Sequence, residues 1–308
     1  MIEQPAAKSE SFAERAAARY ADFFFTEEPV FAAVYVRIAL PLWTMGFFAP
    51  RLSYLRELYT DRAVHMPHPW FARLGELPEL PLWAVWMGVL ALMLALITFA
   101  AGYRARTLHP VIVLLLCYLL GYDVSTVRGY GQLAFYQWLI AYFLPYDRLR
   151  DPSGAVVRAP RWGLRVAMLL FSSVYLFSVL AKTVGGEGWF DGKTLYYTLH
   201  GHDYGTFLLS EWFPVSLDTA RVLGWITLAS ECFVGLALWA RRTRPWAAVV
   251  CVGMHVTMAL SMRVSVLFHL LMIGHLPLFL SPGVWERLGN DARVTRVFSA
   301  LRRVLPSE

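Results

Sequence analysis

Eight ionisable side chains fall within or at the ends of long apolar runs: Arg37, Asp123, Lys182, Glu231, His255, Arg263, His269 and His275. A charge at the centre of a bilayer costs on the order of 3 kcal/mol on insertion scales, so each needs a partner or a task. Lys182 is the most informative. It ends the apolar run Val174–Ala181 and precedes the glycine-rich Thr183-Val-Gly-Gly-Glu-Gly188. Of 28 basic residues 25 are Arg, and Lys8, Lys182 and Lys193 are the lysines. Arg keeps its proton in a protein, whereas a Lys desolvated in an apolar site can give it up and act as a base. Phe177 and Trp189 are the aromatic residues expected to desolvate Lys182. The alternative is a helix-end cation whose stem snorkels to the interface.

Glu231 sits within an apolar run, either as a proton-handling carboxylate or as a structural partner for Arg37 or a histidine. His255, in Gly253-Met-His-Val-Thr257, divides the same way between catalysis and hydrogen-bonded packing. His269 and His275 are six residues apart, off a single helical face, and read as packing residues. His65-Met-Pro-His68 and His200-Gly-His202-Asp203 have metal-like spacings without a clear third ligand on a regular element, so no metal is expected. Cys117, Cys232 and Cys251 lie singly in apolar runs and fit buried thiols, not disulfide chemistry. A Gly-x-Ser-x-Gly elbow and a phosphate-binding Walker loop are absent.

The elements that must position these residues are membrane helices. The chain is 57% hydrophobic and 16% charged, with a mean hydropathy of +0.47, 12 Trp and 15 Tyr. An ordinary soluble domain carries roughly 25% charged residues, so a soluble enzyme is excluded. The net charge of +6 is spread over short clusters between apolar runs and does not indicate nucleic acid. The predicted fold is an all-α integral membrane bundle of about eight helices, over 30–50, 80–101, 107–123, 131–147, 163–184, 219–240, 245–262 and 264–281. Seven is the alternative count, if a member of the third–fourth or the seventh–eighth pair is re-entrant.

Residues 1–29 form an N-terminal segment without a secretory-signal pattern, 30–282 the membrane domain, and 283–308 an amphipathic tail. With both termini inside, cytoplasmic segments carry 17 Lys and Arg against 7 on the opposite side. That orientation puts Asp123, Lys182, Arg263 and His269 near the outer ends of their spans, with Glu231 at mid-depth. A polar pocket opening outward, with Arg37, Asp123, Arg128, Trp189, Glu231 and His269 around Lys182 and His255, is the economical arrangement.

The stretch Tyr175-Leu-Phe-Ser-Val-Leu-Ala-Lys182-Thr-Val-Gly-Gly-Glu-Gly-Trp189-Phe-Asp-Gly192 resembles the vitamin K-dependent gamma-carboxylase family and its short bacterial relatives, the horizontally transferred transmembrane (HTTM) domain proteins. Those carry an apolar helix ending in Lys, a short gap, then Trp and an acidic-Gly turn. Arg37-Ile-Ala-Leu40, Tyr130–Phe135 with Pro145–Asp151, Glu231 before Arg241–Arg244, and Met254-His255-Val-Thr257 leading to Phe279–Pro282 follow in the family's order. The resemblance spans about residues 30–285. It implies that Lys182 is the base that deprotonates a vitamin K-like hydroquinone, with O2 and CO2 as co-substrates, and that His255 lies near the quinol. A family His that assists carboxylation is replaced near Thr126, and the large lumenal substrate-binding domain is missing. Quinol oxidation is therefore implied more strongly than carboxylation, a lyase-type reaction. A second expectation is a non-enzymatic membrane factor for maturation, export or immunity of a secreted peptide, and a third is a subunit of a larger membrane complex. The bilayer expected is the bacterial cytoplasmic membrane.

Overall fold

A computed structural model describes residues 11–60, 78–122, 129–147, 155–185, 187–201, 214–262 and 264–291. Asp123, Thr126, Arg128, Arg263, His65, His68, His202, Asp203 and most of the C-terminal tail lie outside these residues.

The chain opens with an element that a search for apolar spans passes over. Helix α1 (Phe12–Phe25) begins at a capping box: the Ser11 hydroxyl accepts from the Glu14 amide at 3.2 Å, and the Glu14 carboxylate accepts from the Ser11 amide at 2.6 Å. Those bonds hold the Glu14 carboxyl below its usual range. None of the α1 residues is buried, and Phe12, Tyr20 and Phe25 are exposed, which suits an amphipathic helix lying on a membrane surface. A short strand, β1 (Glu27–Pro29), pairs antiparallel with β2 (Arg158–Pro160). Arg161 ties this ribbon to α1 by donating to the carbonyls of Phe23 and Asp22 and by pairing with Glu28.

The bundle follows in two groups. The first is α2 (Phe31–Phe48), running through a 3-10 segment into α3 (Leu55–Tyr59), then α4 (Leu82–Ala101), α5 (Ala105–Gly121) and α6 (Gly129–Ala141). The second is α7 (Trp162–Val184), α10 (Leu217–Ala237), α11 (Arg244–Ser261) and α12 (Val266–Gly274). Short helices α8 (Glu187–Phe190) and α9 (Lys193–His200) cap one end between α7 and α10. Helices α6 and α12 both pack on α2 and join the groups. Among the described residues four helices are long and apolar enough to cross a membrane: residues 31–59, 82–101, 162–184 and 217–237. The described turns of α6 cover about 20 Å, and α12 covers about 14 Å, against a hydrocarbon core of roughly 30 Å. After α12 a 3-10 turn leads to α13 (Pro282–Gly289), and the two arms of this break are bent by 100°.

Leu92, Leu96, Phe99, Ile112, Trp138 and Phe171 form part of one continuous core. The outer faces carry exposed Leu94, Ile97, Leu114, Trp225, Ile226 and Val249. A protein in water buries such residues; here lipid is the solvent for them.

Arg37 is buried in the first group, not beside Glu231. Its guanidinium donates to the Tyr146 carbonyl at 2.7 Å and lies against Gly102, where a Cβ would come within 2.6 Å of it. Gly102 also takes the left-handed φ of +89° that ends α4, so the position suits glycine on two counts. The Tyr146 hydroxyl bonds His109 Nδ1 at 2.8 Å, His109 Nε2 bonds the Trp138 carbonyl at 2.8 Å, and the Trp138 indole donates to Thr44 at 2.9 Å. Because Nε2 faces a carbonyl it carries the proton, leaving Nδ1 to accept from the tyrosine. The chain of bonds begins and ends on α2, stitching α5, α6 and the following loop to it.

Candidate functional site

Lys182 projects from the last turn of α7, on the face that also carries Ser178 and Tyr175. The spacings of four and three residues stack these side chains along one side of the helix. Opposite them stands α10, which approaches closely because it presents Gly235: a Cβ there would lie 2.8 Å from Leu176 Cδ2 and 3.3 Å from the Ser172 carbonyl. One turn before Gly235, Glu231 points into the seam. Its Oε1 accepts from Lys182 Nζ at 2.5 Å and from the Ser178 hydroxyl at 3.2 Å, while Oε2 is buried without a hydrogen-bond partner among the described residues. The Lys182 side chain is 17% exposed and that of Glu231 9%, so this ion pair is largely withdrawn from water.

Trp189 of α8 closes the site, its ring centroid 4.5 Å from Lys182 Nζ in cation–π contact. The backbone of α8 lies on α10: a Cβ at Gly224 would come within 2.9 Å of the Trp189 carbonyl, and the Trp225 indole donates to the Phe190 carbonyl at 3.1 Å. Phe177 does not cover Lys182. It is 66% exposed, because five residues along a helix place it off the Lys182 face. Glu231 is buried and paired, and its partners are Lys182 and Ser178 instead of Arg37 or His255.

A second cluster begins one turn along α7. The Tyr175 hydroxyl lies 2.8 Å from His255 Nε2 and 3.2 Å from Cys251 Sγ, both on α11. His255 Nδ1 is 3.1 Å from His269 Nδ1 on α12, and His269 Nε2 is buried with no hydrogen-bond partner among the described residues. Two proton arrangements satisfy the row. Tyr175 donates to His255, which donates to His269; or His269 donates to His255, which donates to Tyr175, whose own proton then goes to Cys251. The row can thus reverse its polarity by moving protons along it. His275, by contrast, stacks on Phe171 with centroids 5.1 Å apart and donates from Nδ1 to the Leu271 carbonyl at 2.6 Å.

Lys182, Glu231, Trp189, His255 and His269 therefore border a single α7–α10–α11–α12 seam, while Arg37 belongs to the structural network around Tyr146. Tyr175 and Ser178 are the seam residues not singled out in the sequence, although their helical spacing from Lys182 was there to be read. Among the described residues no three His, Cys, Asp or Glu side chains converge as a metal site would require. The HTTM-domain family model matches residues 33–285, from the first turn of α2 to the start of α13.

The chain belongs to the HTTM family.

The match takes in both helix groups and every residue of the seam. No curated protein and no solved structure matches the chain. HTTM membership, with the four long apolar helices, makes this an integral membrane protein of a family related to the vitamin K-dependent carboxylase. Within this HTTM chain the Lys182–Glu231 pair brings a nitrogen, a carboxylate and an aromatic cover together at the end of a membrane helix.

Proposed function

We propose that this HTTM protein oxidises a membrane hydroquinone, with Lys182 as the base. The observation that supports it is the contact of Lys182 Nζ with Glu231 Oε1 beneath the Trp189 ring. In a seam of low dielectric the pair can share one proton, so that Glu231 takes it from the ammonium and frees the amine. The amine then accepts a hydroxyl proton from the quinol, whose electrons pass to O2. Hydroquinone and O2 give the quinone epoxide and water, which balances without a metal or a further reductant. Ser178 orients the carboxylate, and Trp189 offers a flat apolar face against which an aromatic head group can lie. Carboxylation of a peptide glutamate with CO2 is an added step that this reading does not require. The site faces the outer side of a bacterial cytoplasmic membrane in this proposal, with both chain termini cytoplasmic.

The test is oxygen uptake by the detergent-purified protein supplied with a reduced naphthoquinone, together with detection of the epoxide. Lys182→Arg keeps the charge and cannot deprotonate, so it should abolish turnover and leave the helical fold intact. Full uptake by Lys182→Arg would exclude the base role. No uptake by the unaltered protein with any reduced quinone would turn the reading towards a non-enzymatic membrane factor.

A further inference from the structure

The short helix α12 leaves a space beside α2 that the seam does not use. A groove of about 430 Å³ runs between α2 and α12, with a mostly apolar lining. Two hydrogen bonds bridge its ends: Tyr35 donates to the Gly274 carbonyl at 2.6 Å, and the Trp43 indole donates to the Leu267 carbonyl at 2.7 Å. They are eight residues apart on α2, about 12 Å. Between them the helices stand apart, with Ala39 on one wall and Leu271 on the other. The rim residues Leu42 and Leu270 are 57% and 55% exposed, so the groove opens sideways, towards lipid.

Two buried polar side chains border it, His275 and Gln137, and His275 already bonds the Leu271 carbonyl through Nδ1. Gln137 of α6 borders the groove, is 3% exposed, and has an amide nitrogen without a hydrogen-bond partner among the described residues. A buried amide N–H left unpaired carries its full desolvation penalty, so an occupant with an acceptor oxygen at that point is favoured over plain hydrocarbon. The depth limits the choice. Gln137 is four residues, about 6 Å, from the end of α6 at Ala141. Just beyond that end the half-exposed Arg106–Asp147 ion pair marks the polar boundary. One turn inside that boundary is where the ester carbonyls of a glycerolipid lie.

We infer that the α2–α12 groove is a binding site for an ester-linked membrane lipid, whose acyl chain fills the groove and whose carbonyl oxygen accepts from the Gln137 amide. The lipid comes from the leaflet on the side of α1, since α6 ends on that side of the bundle and α2 begins there. This site is separate from Lys182 and does not depend on quinol chemistry. Its occupant would serve as packing material in the gap between α2 and the nine-residue α12.

Detergent-purified full-length protein, delipidated and titrated with dioleoyl phosphatidylglycerol, tests this by native mass spectrometry and thermal melting. The ether analogue with the same head group and chains lacks the carbonyl and should bind about tenfold more weakly. Gln137→Leu should bring the ester lipid down to the ether level. Leu270→Trp, at an exposed rim position that the fold does not need, should obstruct both lipids and keeps the test decisive if Gln137→Leu fails to fold. Equal binding of ester and ether by the unaltered protein would overturn the inference, as would unaltered binding in Leu270→Trp. Displacement of the ester lipid by a menaquinone at lower concentration would assign the groove to a quinone instead.

Discussion

The Tyr175 hydroxyl lies 2.8 Å from His255 Nε2, in a seam where both residues are almost wholly buried. With Cys251 at 3.2 Å, this phenol is the hinge of the polar row: it can donate to the imidazole or accept from it. Tyr175→Phe keeps the ring and removes the bond, leaving His255 Nε2 buried and unpaired. The expected loss is about 1–3 kcal/mol of stability, read by thermal melting in detergent. Because the penalty belongs to the orphaned imidazole, Tyr175→Phe with His255→Phe should lose less than the two single changes added together. Strict additivity would show that the two groups do not interact.

The Lys182–Glu231 pair lends itself to the same logic with a larger signal. Glu231→Leu strands an ammonium among apolar walls, and Lys182→Met strands a carboxylate. Each should cost about 3 kcal/mol, since breaking a buried pair leaves an uncompensated charge. The double change removes both charges and should recover most of that loss. A cycle measured by reversible unfolding in mixed micelles checks it; a double variant as unstable as the sum would mean that the pair contributes through packing alone.

Close approach at Gly235 is what brings Glu231 within reach of Lys182. Gly235→Leu drives a branched side chain into Leu176 and the Ser172 carbonyl, so α7 and α10 must separate. We expect a loss of about 1–3 kcal/mol, typical of overpacking, together with a weakened ion pair. Gly253→Leu on α11 is the control, because a Cβ there meets nothing within 4 Å. Equal melting temperatures for the two variants would refute the role assigned to Gly235.

Much of this could be read from the residues because lipid imposes a simple rule. Apolar runs long enough to cross must be helices, and the charges that interrupt them must be satisfied inside the bundle. Lys182, Glu231 and His255 stood out on that rule, and they line one seam. What stayed hidden depends on pairing between helices. Nothing local distinguishes Arg37, held by a loop carbonyl more than a hundred residues away, from an Arg that could meet Glu231. Helix α1 was missed because its signal is a capping box and a surface stripe, not hydropathy. The groove has no local signal because it exists only where α2, α6 and α12 meet, a relation among three segments far apart in sequence.

Helix α1 offers a pH test. The bonds from Ser11 hold the Glu14 carboxyl below its usual range, so the folded cap favours the ionised form. A depressed folded value means that the cap's contribution is present above the ordinary carboxylate range near 4.3 and is lost as pH falls through the folded value. Amide hydrogen exchange in the first turn of α1, corrected for intrinsic rates, should therefore quicken on going from pH 6 to pH 3. Glu14→Gln should remove that dependence. Protection unchanged across this range would mean that the capping box adds nothing to the helix end.

The proposed orientation of the bundle rests on charge, and it can fail independently of the chemistry. With both termini on the cytoplasmic side, 17 Lys and Arg flank the spans there against 7 opposite. The clusters lie close to helix ends, where such residues resist translocation. Two structural facts point the same way. The Arg106–Asp147 pair joins the first turn of α5 to the loop after α6, and Arg161 fastens α1 to the start of α7, so these basic residues and α1 gather on one face. Reporter fusions after residue 1 and residue 308 should both read as cytoplasmic, and a cysteine placed at Lys193 should be labelled by a membrane-impermeant maleimide from outside. A terminus found outside would break the even number of crossings. Labelling at 193 only in permeabilised cells would invert the bundle and turn the Lys182 site towards the cytoplasm.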